Sequence, residues 1–204
     1  MRLFVLTRHA HSTLNEKGLV NGDPGVSAPL TPEGHAQAEQ LGVELSALPI
    51  DLCVHTRFGR TLETAELALA GRSVPRVVEP RLDDVDVGEL EGATVERYRA
   101  WKGEHGRDEP FPGGESLDGA ALRYAMAFRE LIARPERTVL VVCHEIPVRY
   151  ALNAAAGSDE LDGPEHAIPN ATPYLFDEGA LARAAERIEQ ITPSGGRAQA
   201  PRGE

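Results

Sequence analysis

Two histidines and two arginines stand at points where the sequence predicts that buried strands end. An apolar run over residues 2–7 leads into Arg8 and His9, and another over residues 138–143 leads into His144. A third run over residues 51–55 is followed closely by Arg57. Buried parallel strands read as unbroken apolar runs, and ligand sites in such sheets form outside the carboxyl ends of the strands. We therefore expect two imidazoles and two guanidinium groups to meet at one edge of one sheet.

This combination of side chains suits the transfer of a phosphoryl group. A phosphomonoester is a dianion with a poor leaving group, so its transfer needs positive charge, an in-line nucleophile and a proton donor. A neutral His9 can attack phosphorus and form a phosphohistidine, while Arg8 and Arg57 present forked donors to the phosphate oxygens. A protonated His144 would add a third cation. Because the arginines supply the electrostatic stabilisation, we expect no metal ion and no other cofactor.

The composition excludes several other classes of partner. The chain has 204 residues and a formal net charge of −11, which opposes binding to nucleic acids and to anionic membranes. Cys53 and Cys143 each lie in an apolar run and indicate small buried side chains rather than a disulfide framework. Since the pattern contains neither a signal sequence nor a membrane span, we expect a cytoplasmic protein. Its expected partner is a small phosphorylated substrate, and the sequence leaves a homo-oligomer open.

Predicted strands and helices alternate along the chain. Strand-like runs occupy residues 2–7, 51–55, 74–79, 138–143 and 172–176. Thr31 and Pro32 mark a helix start, and a strict 4-3-4-3 apolar spacing from Leu117 to Leu131 predicts a second helix. Residues 180–191 fit either a helix or an edge strand. The alternation indicates an α/β protein with a largely parallel sheet, a single domain over residues 1–192 and a disordered tail over residues 193–204.

A series of short motifs covers residues 2–176. In order, they are TRHAHSTLN, PLTPEGHAQA, HTRFGRTLETA, RLDDVDVGELEG, PGGES and VVCH. The first contains Arg8, His9, Ser12 and Asn15, the third contains Arg57, and the last ends in the second histidine. Together these segments resemble the motifs of the histidine phosphatase superfamily, also called the phosphoglycerate mutase-like family. Several motifs in one order are far more specific than any one of them.

The resemblance implies a fold, a reaction and a set of site residues. The fold would be a three-layer α/β/α sandwich with a mostly parallel central sheet. The reaction would be hydrolysis of a phosphomonoester through a phosphohistidine, by a histidine acid-type phosphatase. The implied catalytic residues are His9, Asp84 and His144, and the implied phosphate-binding residues are Arg8, Arg57, His144, Asn15 and Ser12. Asp84 is chosen by its spacing to Gly88, Glu91 and Gly92, and with a raised pKa it would protonate the leaving alcohol.

Three positions depart from the family's pattern. Ala10 replaces a glycine, which matters only if the backbone there needs a glycine-specific conformation. Asp84 has a shorter reach than the glutamate common in this branch, so the neighbouring acids are its substitutes as proton donor. Glu145 stands where glycine is usual, and its charge would repel a phosphate unless it points away or pairs with an arginine such as Arg149.

Two alternatives share the fold. A cofactor-dependent phosphoglycerate mutase would have to grip a second phosphate, for which Arg97, Arg99 and Lys102 are available. However, the chain is short for a mutase and lacks the aromatic-rich loop and long insert that such enzymes carry after the acid. The other alternative is a catalytically weak protein that only binds a phosphorylated ligand. Fold by itself does not decide between these functions.

Two other chemistries fit parts of the sequence. Cys143 and Arg149 match the C-x5-R pattern of cysteine-dependent phosphatases, but the loop between them contains no glycine, and its Pro147 lacks an N–H donor. His9, His11 and His144 have the right type for metal ligands, but the neighbouring arginines would repel a cation. We expect both matches to be coincidental.

Overall fold

The computed structural model describes residues 2–192. The predicted disordered tail, residues 193–204, lies outside this range. The strands are β1 (Leu3–Arg8), β2 (Leu52–His55), β3 (Arg76–Val78), β4 (Thr138–Cys143) and β5 (Pro173–Asp177). The helices are α1 (Thr13–Glu16), α2 (Pro32–Glu44), α3 (Gly59–Ala68), α4 (Val95–Glu104), α5 (Leu117–Ala133), α6 (Glu145–Ala155) and α7 (Glu178–Ile191). Each of the five predicted strands is found, with ends that differ from the expected ones by at most two residues.

The strands form one sheet in the order β3-β2-β4-β1-β5. The first four strands in this order run parallel to their neighbours, and β5 runs antiparallel to β1 at the edge. The register pairs Arg8 with Cys143 and His55 with Val142, so β1, β4 and β2 end at the same height. The prediction of a mostly parallel sheet is confirmed, and the residues that follow these three strands lie side by side.

Helices cover both faces of the sheet, because every central strand is apolar on both sides. On one face, α2 and α3 pack over a cluster that contains Val5, Cys53, Leu140 and Val142. On the other face, α5, α6 and α7 pack over a larger cluster that contains Phe4, Leu6, Val139 and Val141. The inward residues alternate along β1 and β4, as the pleat of a strand requires. The three-layer α/β/α arrangement is confirmed.

The helix boundaries follow local signals at most positions. The Thr31 hydroxyl accepts a hydrogen bond from the Gly34 N–H and caps α2, as its sequence predicted. The helix ends at Glu44, and a turn follows. The ambiguous segment 180–191 is helix, capped by the Asp177 side chain.

The segment between β3 and α5 supplies much of the carboxyl edge. It contains α4, near the predicted position, and two short 3-10 turns, Pro80–Leu82 and Gly88–Leu90. Asp84 lies between these two turns. Nowhere in residues 2–192 is there a helix with both the length and the apolar character needed to cross a membrane.

Candidate active site

His9 and His144 meet at the carboxyl edge of the sheet. The His9 N–H donates to the carbonyl of Cys143 over 2.9 Å, which continues the pairing of β1 with β4 by one residue. The two imidazole ring centres are 5.5 Å apart. The structure therefore brings together the two histidines that the strand ends predicted to be neighbours.

The ring of His9 is held in one orientation. It is 3% exposed, and its Nδ1 lies 2.8 Å from the carbonyl oxygen of Ala10. Because only a protonated Nδ1 can donate to that carbonyl, we assign the proton to Nδ1, and Nε2 keeps its lone pair. Burial, with the positive charges of Arg60 and Arg8, holds the pKa of His9 well below its usual value. His9 is thus neutral, and its Nε2 carries the lone pair that can act as a nucleophile.

Arg60, not Arg57, is the second arginine of the site. Its guanidinium is 4% exposed, and its Nε donates to Nε2 of His9 over 2.9 Å. Its Nη2 lies 3.2 Å from Nδ1 of His144. By contrast, the Arg57 side chain is 56% exposed, forms an ion pair with Asp83 and does not line the cavity beside His9. The expectation that Arg57 joins the cluster is therefore corrected.

The error has a simple structural cause. Arg57 precedes α3, where its own N–H donates to Asp83, whereas Arg60 lies in the first turn of α3 and faces the sheet edge. The spacing Arg-x-x-x-Thr occurs twice here, as Arg57 with Thr61 and as Arg60 with Thr64. Only Thr64 reaches the first motif, since its hydroxyl accepts from the Ala10 N–H over 3.0 Å. The motif fits the sequence at either of two alignments three residues apart, and the structure selects the later one.

His144 is fully buried beside Arg60. Its Nε2 lies 3.0 Å from the hydroxyl of Thr56, and its ring meets the ring of Phe58 edge-on with centres 4.6 Å apart. Burial, followed by the charge of Arg60, lowers the pKa of His144 well below its usual value. This shift favours neutral His144, whereas the sequence analysis considered a protonated His144 as a third cation. A bound phosphate dianion would oppose this effect, because it would place negative charge next to the ring.

Asp84 is the acid that faces the histidines. Its Oδ2 lies 3.5 Å from Nδ1 of His144 and 3.4 Å from Nη2 of Arg60. Loss of hydration raises the pKa of Asp84, although the charge of Arg60 acts in the opposite direction. Arg123 braces this loop by donating to the carbonyl oxygens of Asp83 and Asp84 over 3.0 and 3.3 Å. A raised pKa suits a carboxylic acid to deliver a proton.

Sequence reasoning missed Asn21. Its side-chain oxygen accepts from Nη1 of Arg60, and its main-chain oxygen lies 3.2 Å from Nη2 of the same arginine. The carboxylate of Glu91 accepts a hydrogen bond from the side-chain amide of Asn21 over 2.8 Å and another from the N–H of Gly22. This pairing of two distant loops fixes the Arg60 guanidinium. The only signal in the sequence was an asparagine in the polar NGDPG loop.

Ser12 and Asn15 lie in the wall of the cavity, where their side chains form a hydrogen bond with each other. The Ser12 hydroxyl donates to the side-chain oxygen of Asn15 over 3.1 Å, and the two residues form the capping box of α1. Their position is as the motif predicted. Their assignment to phosphate binding stays a prediction, and their visible contacts shape the short helix.

Two of the three departures from the family's pattern are explained by the structure. Ala10 has an ordinary backbone conformation, since Ala171 alone among the non-glycine residues of 2–192 has a positive φ. Glu145 pairs with Arg8 over 2.9 Å and with Arg149 over 3.2 Å. Its negative charge is therefore balanced on both sides.

His9 lines a cavity of about 490 Å³, while His144 lies buried behind it. One end of the cavity, called the phosphate end below, is lined by Arg8, His9, Arg60 and Asp84. The walls come from α1, α4, the start of α6 and the loops between them. The volume is within the range of ligand pockets and exceeds what a phosphate alone would fill.

The competing chemistries find little support in the described residues. Cys143 is completely buried, and burial raises the pKa of its thiol to about 12, so the reactive thiolate is absent near neutral pH. Across residues 2–192, no three His, Cys, Asp or Glu side chains are grouped so that they could hold a metal ion.

The fold and the site together define a class of protein. Paired histidines and two arginines at the carboxyl edge of a mostly parallel sheet are the arrangement that the motifs implied. The family model for the histidine phosphatase superfamily (branch 1) matches residues 4–188. The chain belongs to this superfamily, whose members are phosphatases or mutases.

Known proteins are similar to the chain in sequence and in fold. The 2,3-bisphosphoglycerate-dependent phosphoglycerate mutase of Brucella melitensis is 33% identical over 174 residues, which cover 76% of this chain and 82% of that protein. The structure of YhfR from Bacillus stearothermophilus is 26% identical, covers 86% of this chain and 90% of that one, and has a TM-score of 0.76. The alpha-ribazole phosphatase from Shigella flexneri is 22% identical over 86% of this chain and 90% of its own, with a TM-score of 0.75, and it supports the fold alone.

Proposed function

We propose that the chain hydrolyses the phosphomonoester of a small metabolite through a phosphohistidine at Nε2 of His9. One observation carries this proposal: a neutral, buried imidazole has its lone pair directed at a guanidinium group, with an acid of raised pKa next to it. A phosphate that enters the cavity can accept the hydrogen bond that Nε of Arg60 otherwise donates to Nε2 of His9. This exchange places phosphorus next to the freed lone pair.

The two half-reactions follow from this arrangement. Nε2 of His9 attacks phosphorus while the bond from phosphorus to the alcohol oxygen breaks, and protonated Asp84 gives its proton to that oxygen. Arg8 and Arg60 stabilise the charge on the three remaining oxygens. In the second step Asp84 takes a proton from water, the water oxygen attacks phosphorus, and the bond from phosphorus to Nε2 breaks. Inorganic phosphate leaves, and the enzyme returns to its first state.

A phosphoglycerate mutase is the second candidate, and the similarity to the Brucella enzyme favours it. A mutase returns the phosphoryl group to its substrate and needs a bisphosphate to prime the histidine. A hydrolase releases inorganic phosphate without a primer.

Phosphate release from a panel of phosphorylated metabolites and p-nitrophenyl phosphate tests the proposal. We expect inorganic phosphate to accumulate without a bisphosphate primer, and vanadate, as a mimic of the transferred group, to inhibit. Isomerisation of phosphoglycerate that depends on a primer and releases little phosphate would instead indicate the mutase. No turnover of any compound, with retained phosphate binding, would indicate a protein that only binds.

Replacing Asp84 with asparagine is expected to lower kcat by about 10²- to 10⁴-fold for alkyl phosphates. The loss should be smaller for p-nitrophenyl phosphate, because its leaving group needs less protonation. The wild-type rate should fall as pH rises through the raised pKa of Asp84, since the acid must be protonated to donate. The variant should lack this alkaline fall, because an amide does not titrate. A pH profile of kcat/KM with both substrates checks this, and an unchanged alkaline limb would assign the proton donor to another group.

We also propose that the reaction takes place in the cytoplasm. Both cysteines, Cys53 and Cys143, are buried and unpaired, which suits a reducing compartment. Fractionation of the source cells with an antibody against the chain tests this, and recovery in an exported fraction would contradict it.

A further inference from the structure

The cavity has an apolar wall beside its phosphate end. The wall consists of Leu14, Leu19, Val20, Val95 and Tyr98, each of them partly exposed and each lining the cavity. These side chains come from α1, the segment that follows it and the first turns of α4. Partly exposed apolar side chains grouped in a concave site indicate a surface that buries an apolar ligand group.

Main-chain hydrogen bonds hold this apolar wall in place. The N–H of Leu19 donates to the carbonyl of Leu14 over 3.0 Å, and the N–H of Val95 donates to the carbonyl of Gly18 over 3.0 Å. The N–H of Val20 donates to the carbonyl of Ala93 over 2.9 Å. The segment after α1 is thereby tied to the start of α4, and the wall exists before any substrate arrives.

Two of the three arginines and lysines beyond the phosphate end lie beside carboxylates. Arg149 lies 3.2 Å from the carboxylate of Glu145 and 3.5 Å from that of Asp162, and Lys102 lies 3.4 Å from Asp162. The third, the exposed Arg99, has no carboxylate partner within residues 2–192. A second anionic group on the substrate would have to compete with a carboxylate for Arg149 or Lys102, with Glu145 repelling it near Arg149, or else bind to Arg99 at the surface.

We propose that the substrate is the phosphomonoester of an uncharged alcohol with an apolar or aromatic body, which packs on the apolar wall while its phosphate lies at Arg8 and Arg60. This inference rests on the proposed function and narrows it. It disfavours phosphoglycerates and bisphosphates, because the exposed Arg99 alone among the arginines and lysines beyond the phosphate end, within residues 2–192, has no carboxylate partner to offer a second anion.

The first experiment compares 1-naphthyl phosphate with 3-phosphoglycerate on the wild-type protein. Phosphate release should give a KM at least about ten-fold lower for the naphthyl ester, since burying its rings is worth on the order of 25 cal/mol per Å². KM is compared rather than kcat/KM, because naphthol is also the better leaving group. A preference for 3-phosphoglycerate would overturn the inference but leave the proposed function standing. No hydrolysis of either ester would overturn both.

The second experiment tests the wall itself with Leu19→Ser. We expect the KM for 1-naphthyl phosphate to rise about five- to ten-fold with kcat nearly unchanged, and the KM for glycerol 3-phosphate, which has no apolar body to pack on the wall, to stay the same. If Leu19→Ser folds poorly, Val95→Ser in α4 takes its place, and the same changes in KM are expected. Val26→Ser is the matched control, because Val26 is 38% exposed and lies outside the cavity. Equal effects on both substrates would contradict the inference.

A third experiment tests the paired charges with Glu145→Gln. This change keeps the size of the side chain but leaves Arg8 and Arg149 less neutralised, so kcat/KM for 3-phosphoglycerate should rise about five-fold or more relative to that for 1-naphthyl phosphate. An unchanged ratio would show that Glu145 does not select against a second anion and would contradict this part of the inference.

Discussion

Replacing His9 with glutamine is expected to lower kcat for phosphate release by roughly 10⁴-fold or more, the size seen when a covalent nucleophile is removed. Glutamine has a similar reach, and its amide oxygen can still accept the hydrogen bond from Nε of Arg60. It cannot form a bond from nitrogen to phosphorus of the kind that Nε2 forms. The variant therefore keeps the packing of the site and loses only the nucleophile.

Rapid-quench labelling with a radioactive phosphate ester measures this directly. The wild-type protein should trap an acid-labile adduct on His9, and His9→Gln should trap none. Cys143→Ser is the matched control, since Cys143 is buried next to His144 and its thiol is protonated. This control should keep both the adduct and nearly all of the activity. An adduct that survives in His9→Gln and disappears in Cys143→Ser would assign the chemistry to the thiol.

The sequence was sufficient to predict the fold because each element has its own local signal. The apolar runs of β1 and β4 are buried on both faces, which is why they read as strands without alternation. The Thr31 cap and Pro32 mark the start of α2 in the same way. The segment 180–191 stayed ambiguous, because an alanine-rich stretch with helical spacing becomes distinct only when Leu181 and Ile188 are seen to be buried on one face.

The site could be predicted only where strand ends define it. His9 and His144 directly follow β1 and β4, so the register of those strands brings them together. Asn21 lies in a loop, and its approach to Arg60 depends on Glu91, seventy residues away in sequence, which no local pattern reveals. The pKa of His144 is likewise beyond what the sequence can predict. Its pKa depends on complete burial and on a nearby guanidinium group, and both are properties of the packed structure.

The choice between Arg57 and Arg60 gives the other prediction with a large effect. Arg60→Ala is expected to lower kcat/KM by about 10³-fold, since Arg60 alone contacts His9, His144 and the acid, and removal of one such donor costs 10²- to 10³-fold. Arg60→Lys should recover little, because lysine has no planar fork to serve several acceptors at once. This second variant also keeps a positive charge in the buried position if the alanine variant folds poorly.

Arg57→Ala is the matched control for Arg60, three residues away on the same segment. The Arg57 side chain is 56% exposed and contacts Asp83 outside the cluster, so kcat/KM should change by no more than about three-fold, in line with the small worth of exposed ion pairs. Thermal unfolding followed by circular dichroism should confirm that each variant is folded at the assay temperature. A large loss of activity in folded Arg57→Ala, with little loss in Arg60→Ala, would mean that the guanidinium group that binds phosphate is supplied from outside the cluster. Of the two arginines proposed to hold the dianion in line with His9, only Arg8 would then keep that role.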